Sequence, residues 1–392
     1  MMRDQIVKQN QCLWHKVLTS VMVVSFVATA SWSQTLTWLG TLPGGGDSFA
    51  YDVSADGRVV VGWAYNSARQ WRAFRWQNGV MQELGTLGGD YSRADSVSAD
   101  GRVVVGHGYN STTGEYRAFR WQNGVMQDLG TLGGRINRAF GVSADGSVVV
   151  GDSGDIYRRA FRWQNGVMQD LGTLPGGDSS YAIDVSADGR VVVGTAANSA
   201  NDQVRVFRWE NGVMQDLGTL SGSWSYATAV SANGRVVVGY EYNRNTMQWR
   251  AFRWENGTMR DLGTLPDSRR AYALDVSATG RVVVGGSSGS SGDRAVRWTL
   301  GHGIEDLNIT YSSLLTDGSV LYAAEAISPN GRYIVGIGFN ATTRRGEAFL
   351  LDTGAITDPG DTCPLPGDVN DDGRVDDADL LIVLFNFGRV CR

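Results

Sequence analysis

Lysine is nearly absent from this chain of 392 residues: only Lys8 and Lys16, near the N-terminus, are present. The rest of the chain therefore cannot form a Schiff base with a carbonyl substrate, nor supply the lysine of a phosphate-binding loop. Charged residues amount to only 19% and the net charge is −5, so the composition does not favour nucleic-acid binding. Seven prolines against 52 glycines indicate many tight turns rather than a collagen-like chain.

Cysteine is also scarce, and its distribution fits an exported protein. Basic residues precede an apolar run at 17–30, which is too short to span a bilayer comfortably. The pattern predicts a bacterial signal peptide over residues 1–33, cleaved after Ala30 or Ser33; an uncleaved membrane anchor is the alternative. The mature chain would be secreted or held at the cell surface, with no membrane span. It would keep Cys363 and Cys391, and an even number of cysteines in an oxidising compartment predicts a disulfide.

Glycine is abundant because the chain repeats itself. The stretch VSADGRVVVG begins at Val53, and similar stretches recur about every 45 residues, a period typical of a four-stranded propeller blade. R-A-F-R-W and N-G-V-M-Q-D-L-G-T-L follow in most copies. The later copies of the first phrase begin at Val97, Val142, Val185, Val230, Val276 and Ile327.

Each phrase fits strands joined by tight turns. V-V-V and A-F-R-W are β-branched and aromatic runs of strand length, and A-D-G and N-G are turn signals. The seventh copy ends after Glu347 to Gly354 without a fourth strand, whereas the mature chain begins with an unmatched one, Thr35 to Leu42. We therefore predict an all-β, seven-bladed β-propeller over residues 34–354, closed by its N-terminal strand; an open stack of sheets is the alternative.

Alternation along the third strand predicts how blades pack. Phe74 and Trp76 lie on one face, and Ala73 and Arg75 on the other. We expect the bulky face of one blade to fill the small-residue face of the next, with the arginine stacked on a neighbouring tryptophan. The tryptophans predicted to lie in the core are Trp76, Trp121, Trp163, Trp209, Trp254 and Trp298.

These phrases are similar to those of bacterial extracellular repeats of the HAF type, named for a His-Ala-Phe triplet. V-S-x-D-G, A-F-x-W and L-G-T-L occur in both, and Arg-Ala-Phe stands in place of the triplet at Arg72, Arg117, Arg159 and Arg250. The resemblance covers roughly Thr35 to Leu351. It implies a secreted repeat protein and no particular activity.

The loops at one end of the predicted blades vary, whereas the A-D-G and N-G turns at the other end are nearly identical between repeats. The variable loops are rich in Tyr, Trp and Asn, which suit protein or glycan surfaces. We predict that this end binds the ligand; shielding of the blade ends is the alternative role. The candidate ligand-binding residues are Trp63, Tyr65, Tyr109, Tyr157, Tyr240, Tyr242 and Trp249.

No residue is assigned a catalytic role. Beyond the predicted signal peptide the chain has two histidines, His107 and His302, and neither lies in a recognisable nucleophile motif. A pair of loop carboxylates could serve a glycosidase, which needs two carboxyls roughly 5–9.5 Å apart, but solvated loop acids are the simpler interpretation. These carboxylates are Asp47, Asp90, Asp152, Asp155, Asp178 and Glu241. The aspartates predicted to form the A-D-G turns are Asp56, Asp100, Asp145 and Asp188.

The C-terminal stretch GDVNDDGRVDDADLLIVLFNFG, Gly367 to Gly388, has the spacing of an EF-hand calcium loop. Oxygen-bearing residues alternate, Gly373 permits the sharp turn, and an acidic residue occupies the twelfth position. Calcium is therefore the predicted cofactor. Its predicted ligands are Asp368, Asn370, Asp372, the backbone carbonyl of Arg374, Asp376 and Asp379.

The loop resembles a type I dockerin repeat, including aspartate at the last ligand position. This resemblance implies attachment to a cohesin-like or cell-surface partner, although a full dockerin has two such segments and this tail has one. A disulfide between Cys363 and Cys391 would clasp the loop and the apolar segment that follows it. We predict a linker over 355–366 and a calcium module over 367–392.

These features predict a secreted, non-catalytic binding or scaffold protein that recognises an extracellular protein or glycan and is attached through its calcium-binding tail. The alternative is a carbohydrate-active enzyme, a glycoside hydrolase or lyase of polysaccharide catabolism. The dockerin-like tail is the main feature that suggests this alternative.

Overall fold

A computed structural model of the protein describes residues 33–198, 201–222 and 224–354. Residues 1–32 of the predicted signal peptide lie outside the described residues. The predicted linker and calcium module, with the six calcium ligands and both cysteines, lie outside them as well. Within the described ranges, no helix is long and apolar enough to cross a membrane.

The regular secondary structure of the described chain consists almost entirely of short antiparallel strands, which confirms the all-β prediction. The first thirteen strands are β1 (Thr35–Trp38), β2 (Ser48–Val53), β3 (Val59–Tyr65), β4 (Trp71–Gln77), β5 (Val80–Glu83), β6 (Tyr91–Val97), β7 (Val103–Asn110), β8 (Glu115–Gln122), β9 (Val125–Asp128), β10 (Ile136–Val142), β11 (Val148–Gly154), β12 (Arg159–Gln164) and β13 (Val167–Asp170). The next twelve are β14 (Ser179–Val185), β15 (Val191–Asn198), β16 (Gln203–Glu210), β17 (Val213–Asp216), β18 (Trp224–Val230), β19 (Val236–Asn243), β20 (Gln248–Glu255), β21 (Thr258–Asp261), β22 (Ser268–Val276), β23 (Val282–Gly289), β24 (Gly292–Thr299) and β25 (Gly303–Asp306). A helical turn α1 (Leu307–Thr310) and a 3-10 helix (Ser312–Leu314) precede the last strands, β26 (Val320–Ile327), β27 (Tyr333–Asn340) and β28 (Arg345–Asp352).

The strands form seven four-stranded antiparallel units. Three of these units are separate sheets, and the other four join in pairs through single parallel bridges, Tyr116 with Ile136 and Trp249 with Arg270. We call the units repeats one to seven. Their first strands are β2, β6, β10, β14, β18, β22 and β26.

Repeat seven takes its fourth strand from the N-terminal end of the described chain. β1 lies antiparallel to β28, with Thr35 opposite Asp352 and Trp38 opposite Phe349. Leu39 continues the pairing, since its N–H donates to the carbonyl of Ala348 over 2.9 Å. The pairing therefore follows the one predicted for the stretch that begins at Thr35.

Every first strand contains a β-bulge at the same position. In β2, Ala50 pairs with Gly62 and Asp52 with Val61, so Tyr51 is the extra, unpaired residue. The glycine of R-V-V-V-G is required opposite this bulge, because a methyl group on Gly62 would overlap the carbonyl oxygen of Phe49. A β-bulge changes the direction in which side chains of the bulged strand point. The seven unpaired bulge residues are Tyr51, Asp95, Phe140, Ile183, Thr228, Leu274 and Glu325.

The A-D-G turns are held from within and linked to one another. In the first turn, the Asp56 carboxylate accepts from the Ser54 hydroxyl at 2.7 Å and from the Arg58 N–H at 3.0 Å, as predicted for a turn former. Backbone bonds then connect successive turns, beginning with the Ala55 N–H and the Ala99 carbonyl and continuing through Ala144, Ala187 and Ala232. The turns of repeats one to five are therefore joined in one hydrogen-bonded series, and the Ala278 N–H makes the equivalent bond from repeat six to the Pro329 carbonyl of repeat seven.

Neighbouring repeats pack bulky face against small face, as predicted. Phe119 and Trp121 of repeat two share a core cluster with Ala73 and Val59 of repeat one, and all four side chains are buried. The six tryptophans predicted for the core are buried in the same way.

The prediction for the arginine was wrong. Instead of stacking on a tryptophan, the Arg75 guanidinium donates to the carbonyl of Gly101, in the A-D-G turn of the next repeat, at 3.1–3.2 Å. A directional bond to a fixed carbonyl therefore joins the repeats at this position, and Arg120, Arg162, Arg208 and Arg253 form it too.

Candidate ligand-binding face and cavity

The variable loops lie at one end of the sheets, opposite the A-D-G and N-G turns. In repeat one, Ser48 pairs with Ala64 and Tyr65 with Trp71 at this end, whereas Val53 and Val60 pair near the A-D-G turn. We call the end that carries Tyr65 and Trp71 the variable face.

The first aromatic group on the variable face is centred on repeat one. Trp63 stacks on Phe49 with ring centroids 4.2 Å apart, and on Trp71 with centroids 4.3 Å apart. Trp71 is the outer ring of this stack, with 39% of its surface exposed. Tyr65 contacts both tryptophans edge-on, and Tyr91 of repeat two lies 5.6 Å from Trp71. The three stacked rings form a rigid platform whose outer face is available.

The group continues across repeat two. Tyr91 contacts His107 and Tyr116, and Tyr116 packs on Tyr109 with centroids 4.9 Å apart. His107 also contacts Phe140 of repeat three. Aromatic contacts therefore run without a break from repeat one to repeat three.

A second aromatic group spans repeats five and six. Trp249 contacts Tyr242 at 5.0 Å and Tyr240 at 5.4 Å, and Tyr272 of repeat six joins it at 5.9 Å. Trp224 stacks on Tyr242 and receives the guanidinium of Arg244 at 4.3 Å from its ring. A cation–π contact of this kind holds the outer indole in place.

The seven predicted ligand-binding residues therefore divide between two groups and one outlier. Trp63, Tyr65 and Tyr109 belong to the first group, and the second holds Tyr240, Tyr242 and Trp249. Tyr157 belongs to neither and is 61% exposed at a loop tip. Trp63 is buried, only 5% exposed, so it supports the platform and cannot present it.

Sequence reasoning missed Trp71, although its signal was present. Trp71 is the cross-strand partner of Tyr65 at the outer end of the β3–β4 pair. Tyr116 opposite Tyr109 and Trp249 opposite Tyr242 occupy the same place in repeats two and five. Alignment of the repeats at the end of the second strand and the start of the third therefore identifies Trp71 as the equivalent of Tyr116 and Trp249.

A cavity of about 360 Å³ lies between the first strands of all seven repeats. We call it the first-strand cavity. It extends from the alanines of the A-D-G turns, such as Ala55 and Ala99, toward Arg93 on the variable face. All seven bulge residues line it.

Three aspartates on the cavity wall tie adjacent first strands together. Asp52 accepts from the Val53 N–H, and from the Val97 N–H and the Ser96 hydroxyl of repeat two, at 2.7–2.8 Å. Asp184 and Asp275 make equivalent bonds from repeat four to five and from six to seven. Burial raises the pKa of Asp52 to about 6, that of Asp184 to about 7 and that of Asp275 well above its usual range.

The variable-face side of the cavity is polar in one sector. The Arg93 guanidinium lies 4.1 Å from the Tyr51 ring, and its Nε lies 2.7 Å from the Asp95 carboxylate. The other Asp95 oxygen is 2.9 Å from Nδ1 of the buried His107, whose Nε2 is 3.5 Å from the Tyr91 hydroxyl. Burial raises the pKa of Tyr91 to about 12, so this hydroxyl stays protonated.

No protein-family model matches this chain, and no curated protein matches it. Among solved structures, an oligogalacturonate lyase from Vibrio parahaemolyticus is 9% identical, with a TM-score of 0.53 over 81% of this chain and 93% of that chain. An oligogalacturonate lyase in complex with manganese is 11% identical, with a TM-score of 0.53 over 82% and 94%. TolB from Acinetobacter baumannii is 10% identical, with a TM-score of 0.44 over 76% of this chain, which spans 64% of the TolB chain. The similarity to the lyases shows a propeller-like all-β fold.

Two of the loop carboxylates considered for catalysis, Asp152 and Glu241, are engaged in structural contacts. Asp152 is fully buried between Arg138 and Arg158, each at 2.9–3.0 Å. Glu241 is 1% exposed and accepts from the Leu220 N–H at 2.8 Å and from the N–H and hydroxyl of Ser221. Such fully engaged carboxylates position loops and are poorly suited to proton transfer.

Metal ligation by the described part of the chain finds no support, since no group of three or more His, Cys, Asp or Glu side chains there could hold an ion. The predicted calcium ligands all lie outside the described residues.

Proposed function

We propose that this protein is a secreted, non-catalytic glycan-binding protein whose variable face carries the binding surface. The seven repeats would form a closed seven-bladed propeller, and the C-terminal tail would bind calcium and attach the protein to a surface or partner.

The uneven distribution of the aromatic pairs carries this proposal. Tyr65 with Trp71 occurs in repeat one, and similar pairs occur in repeats two and five, whereas repeat four has Ala197 opposite Val204 and repeat seven has Phe339 opposite Gly346. If the aromatic rings merely shielded the sheet ends, every repeat would need them. Their concentration on some repeats indicates a localised surface for a ligand.

The stacking of these rings favours a glycan over a protein ligand. Phe49, Trp63 and Trp71 are nearly parallel, with interplanar angles of 18° and 15°, so the outermost indole presents a flat, rigid face. The C–H face of a pyranose ring packs on such an indole at little cost in side-chain entropy, because the stack already fixes its orientation.

Three observations support closure of the ring. First strands from all seven repeats line one cavity, and β1 completes the sheet of repeat seven. In addition, Leu39 and Leu42 belong to a core cluster that contains Phe74 of repeat one and Ala348 of repeat seven. This shared cluster supports a closed ring in which the last repeat packs against the first.

Retention by polysaccharides tests the proposal. We expect the full chain to be retarded in affinity electrophoresis by at least one of cellulose derivatives, xylan, soluble chitosan or pectin. Trp71→Ala and Trp249→Ala should each weaken the retardation at least tenfold. Val204→Ala, at the equivalent position of repeat four, is the matched control and should not change it. Absence of binding to any glycan, or equal loss in the control, would refute the proposal.

One observation favours the alternative, a carbohydrate-active enzyme. His107 contacts the Asp95 carboxylate through Nδ1 and the Tyr91 hydroxyl through Nε2, and Arg93 lies beside them. Such a row of contacting groups can transfer a proton. The same polysaccharide panel distinguishes the two functions: release of new reducing ends or unsaturated products, lost in His107→Ala, would establish an enzyme. Binding without product supports the proposal made here.

The tail function rests on the residue pattern alone. Calorimetry of the full chain should show calcium binding that Asp368→Ala removes. Heat that persists unchanged in this variant would contradict the assignment of the loop.

A further inference from the structure

We propose that the first-strand cavity binds the terminal pyranose of a neutral glycan, between a polar sector formed by repeats seven, one and two and the apolar bulge residues of repeats three, four and six. This inference rests on the proposed glycan-binding function and adds a second site, for the end of the chain, to the surface made by the aromatic platforms.

The polar sector holds three groups with unused hydrogen-bonding capacity. Glu325 makes no hydrogen bond or ion pair to any described residue, and Arg93 pairs with Asp95 through Nε and makes no hydrogen bond through its terminal nitrogens to the described part of the chain. Tyr51 accepts a bond from the Trp63 indole N–H at 3.2 Å, which leaves the proton of its own hydroxyl free to donate. An acceptor and two donors from successive repeats therefore border one cavity.

Glu325 and Arg93 both line the cavity and form no ion pair with each other. Burial raises the pKa of Glu325 to about 7, and the positive charge of Arg93 partly opposes this effect. A ligand hydroxyl acts as both donor and acceptor, so adjacent hydroxyls can bridge this carboxyl and guanidinium. The planar Arg93 group, held over the Tyr51 ring, is already oriented for such a contact.

The bulge residues of the opposite sector are apolar. Phe140, Ile183 and Leu274 are the bulge residues of repeats three, four and six, and each lines the cavity. A pyranose has C–H faces and hydroxyl edges, so it matches a cavity with one apolar and one polar side. The volume of about 360 Å³ lies within the range of about 300–1,000 Å³ found for small-molecule sites.

The charges favour a neutral ligand. Arg93 and Asp95 offset each other, and burial raises the pKa of Asp184 to about 7 and that of Asp275 well above its usual range, which reduces their negative charge near neutral pH. Asp52, with a pKa of about 6, is mostly ionised there, but its carboxylate already accepts hydrogen bonds from Val53, Ser96 and Val97. A cavity of this kind supplies little opposite charge to offset the cost of removing an ionic sugar from water.

Calorimetry and saturation-transfer NMR with monosaccharides test the inference. The neutral probes are D-glucose, D-galactose, D-mannose and N-acetyl-D-glucosamine, and the charged ones are D-galacturonate and D-glucosamine. We expect one neutral sugar to bind once per chain, with a Kd of about 1 mM, a typical affinity for so small a ligand. Glu325→Ala and Tyr51→Phe should each weaken that binding, the former at least tenfold, whereas Trp71→Ala should leave it unchanged.

The possible outcomes separate this inference from the proposed function. If no monosaccharide binds, if a charged sugar binds best, or if folded Glu325→Ala binds as well as the parent, the cavity site is refuted. Retardation by polysaccharides would then persist, because it depends on Trp71 and Trp249. Binding of a neutral sugar that Glu325→Ala weakens would support the cavity site even if no polysaccharide were retained.

Discussion

Removal of a single leucine tests whether the ring is closed. Leu39 follows β1 and is 5% exposed, and its N–H donates to the carbonyl of Ala348. Leu84 is its structural equivalent between repeats one and two: it is 7% exposed, and its N–H donates to the carbonyl of Ala73. In a closed ring, the two leucines fill the same kind of interface. In an open array, Leu39 would lie at a free end.

The magnitude follows from burial. Truncation of a buried leucine to alanine costs about 2–5 kcal/mol, from lost transfer free energy and from the cavity left behind. We expect Leu39→Ala and Leu84→Ala to lower the free energy of unfolding by similar amounts within this range. Thr37→Ala, an exposed change on β1, should cost less than about 0.5 kcal/mol.

Urea unfolding followed by tryptophan fluorescence measures these differences, and the slope of the transition should stay constant across the three variants. A Leu39→Ala variant as stable as the parent, beside a clearly destabilised Leu84→Ala, would show that the contact between repeats seven and one contributes nothing. The proposal of a closed ring would then have to be abandoned.

Three further predictions follow from the bulges, the loops and the cavity. Gly285→Ala should destabilise the fold by more than about 3 kcal/mol in thermal unfolding, because a methyl group there would overlap the Tyr272 carbonyl. Gly286→Ala is the control and should cost almost nothing, because its methyl group would lie 3.8 Å from its nearest contact, the Cβ of Ala323. Glu241→Gln should weaken the bonds to the loop that begins at Leu220, cost about 2 kcal/mol and speed amide exchange in that loop first; unchanged exchange would contradict its structural role. Since burial raises the pKa of Asp184 from 3.8 to about 7, its ionisation opposes folding, so stability should fall as pH rises from about 4 to about 7 and level off above that; a wild-type slope in Asp184→Ser would refute this assignment.

Much of the fold could be predicted because the same pattern of strand and turn residues occurs in each copy of the repeat. The A-D-G and N-G turns, the strand-length runs and the buried tryptophans all follow from local residue preferences, which agree from copy to copy. The stretch at Thr35 resembles a fourth strand without the three strands that normally precede it, and repeat seven lacks a fourth strand. The pairing of β1 with β28 could therefore be predicted.

Other features depend on contacts that no single repeat contains. The bulge at Tyr51 is visible only in the register between β2 and β3, so the first-strand cavity could not be located in advance. Arg75 was assigned to a tryptophan because sequence alternation gives a face but no partner, and the Gly101 carbonyl is supplied by a different repeat. In repeat six, the fourth strand is followed at Leu307 by a helical turn, which Asp306 caps.

The positions at which the repeats disagree are more informative than those at which they agree. In each first strand an alanine, Ala50 in repeat one, and a hydrophobic residue two positions beyond the bulge, Val53, are kept, and both are buried in the packing between sheets. Between them the bulge residue is Tyr, Asp, Phe, Ile, Thr, Leu and Glu in turn, without a single repetition. Packing alone would select one side chain for seven equivalent environments, as it does at the alanine. Seven different side chains around one cavity therefore support the asymmetric glycan site proposed above.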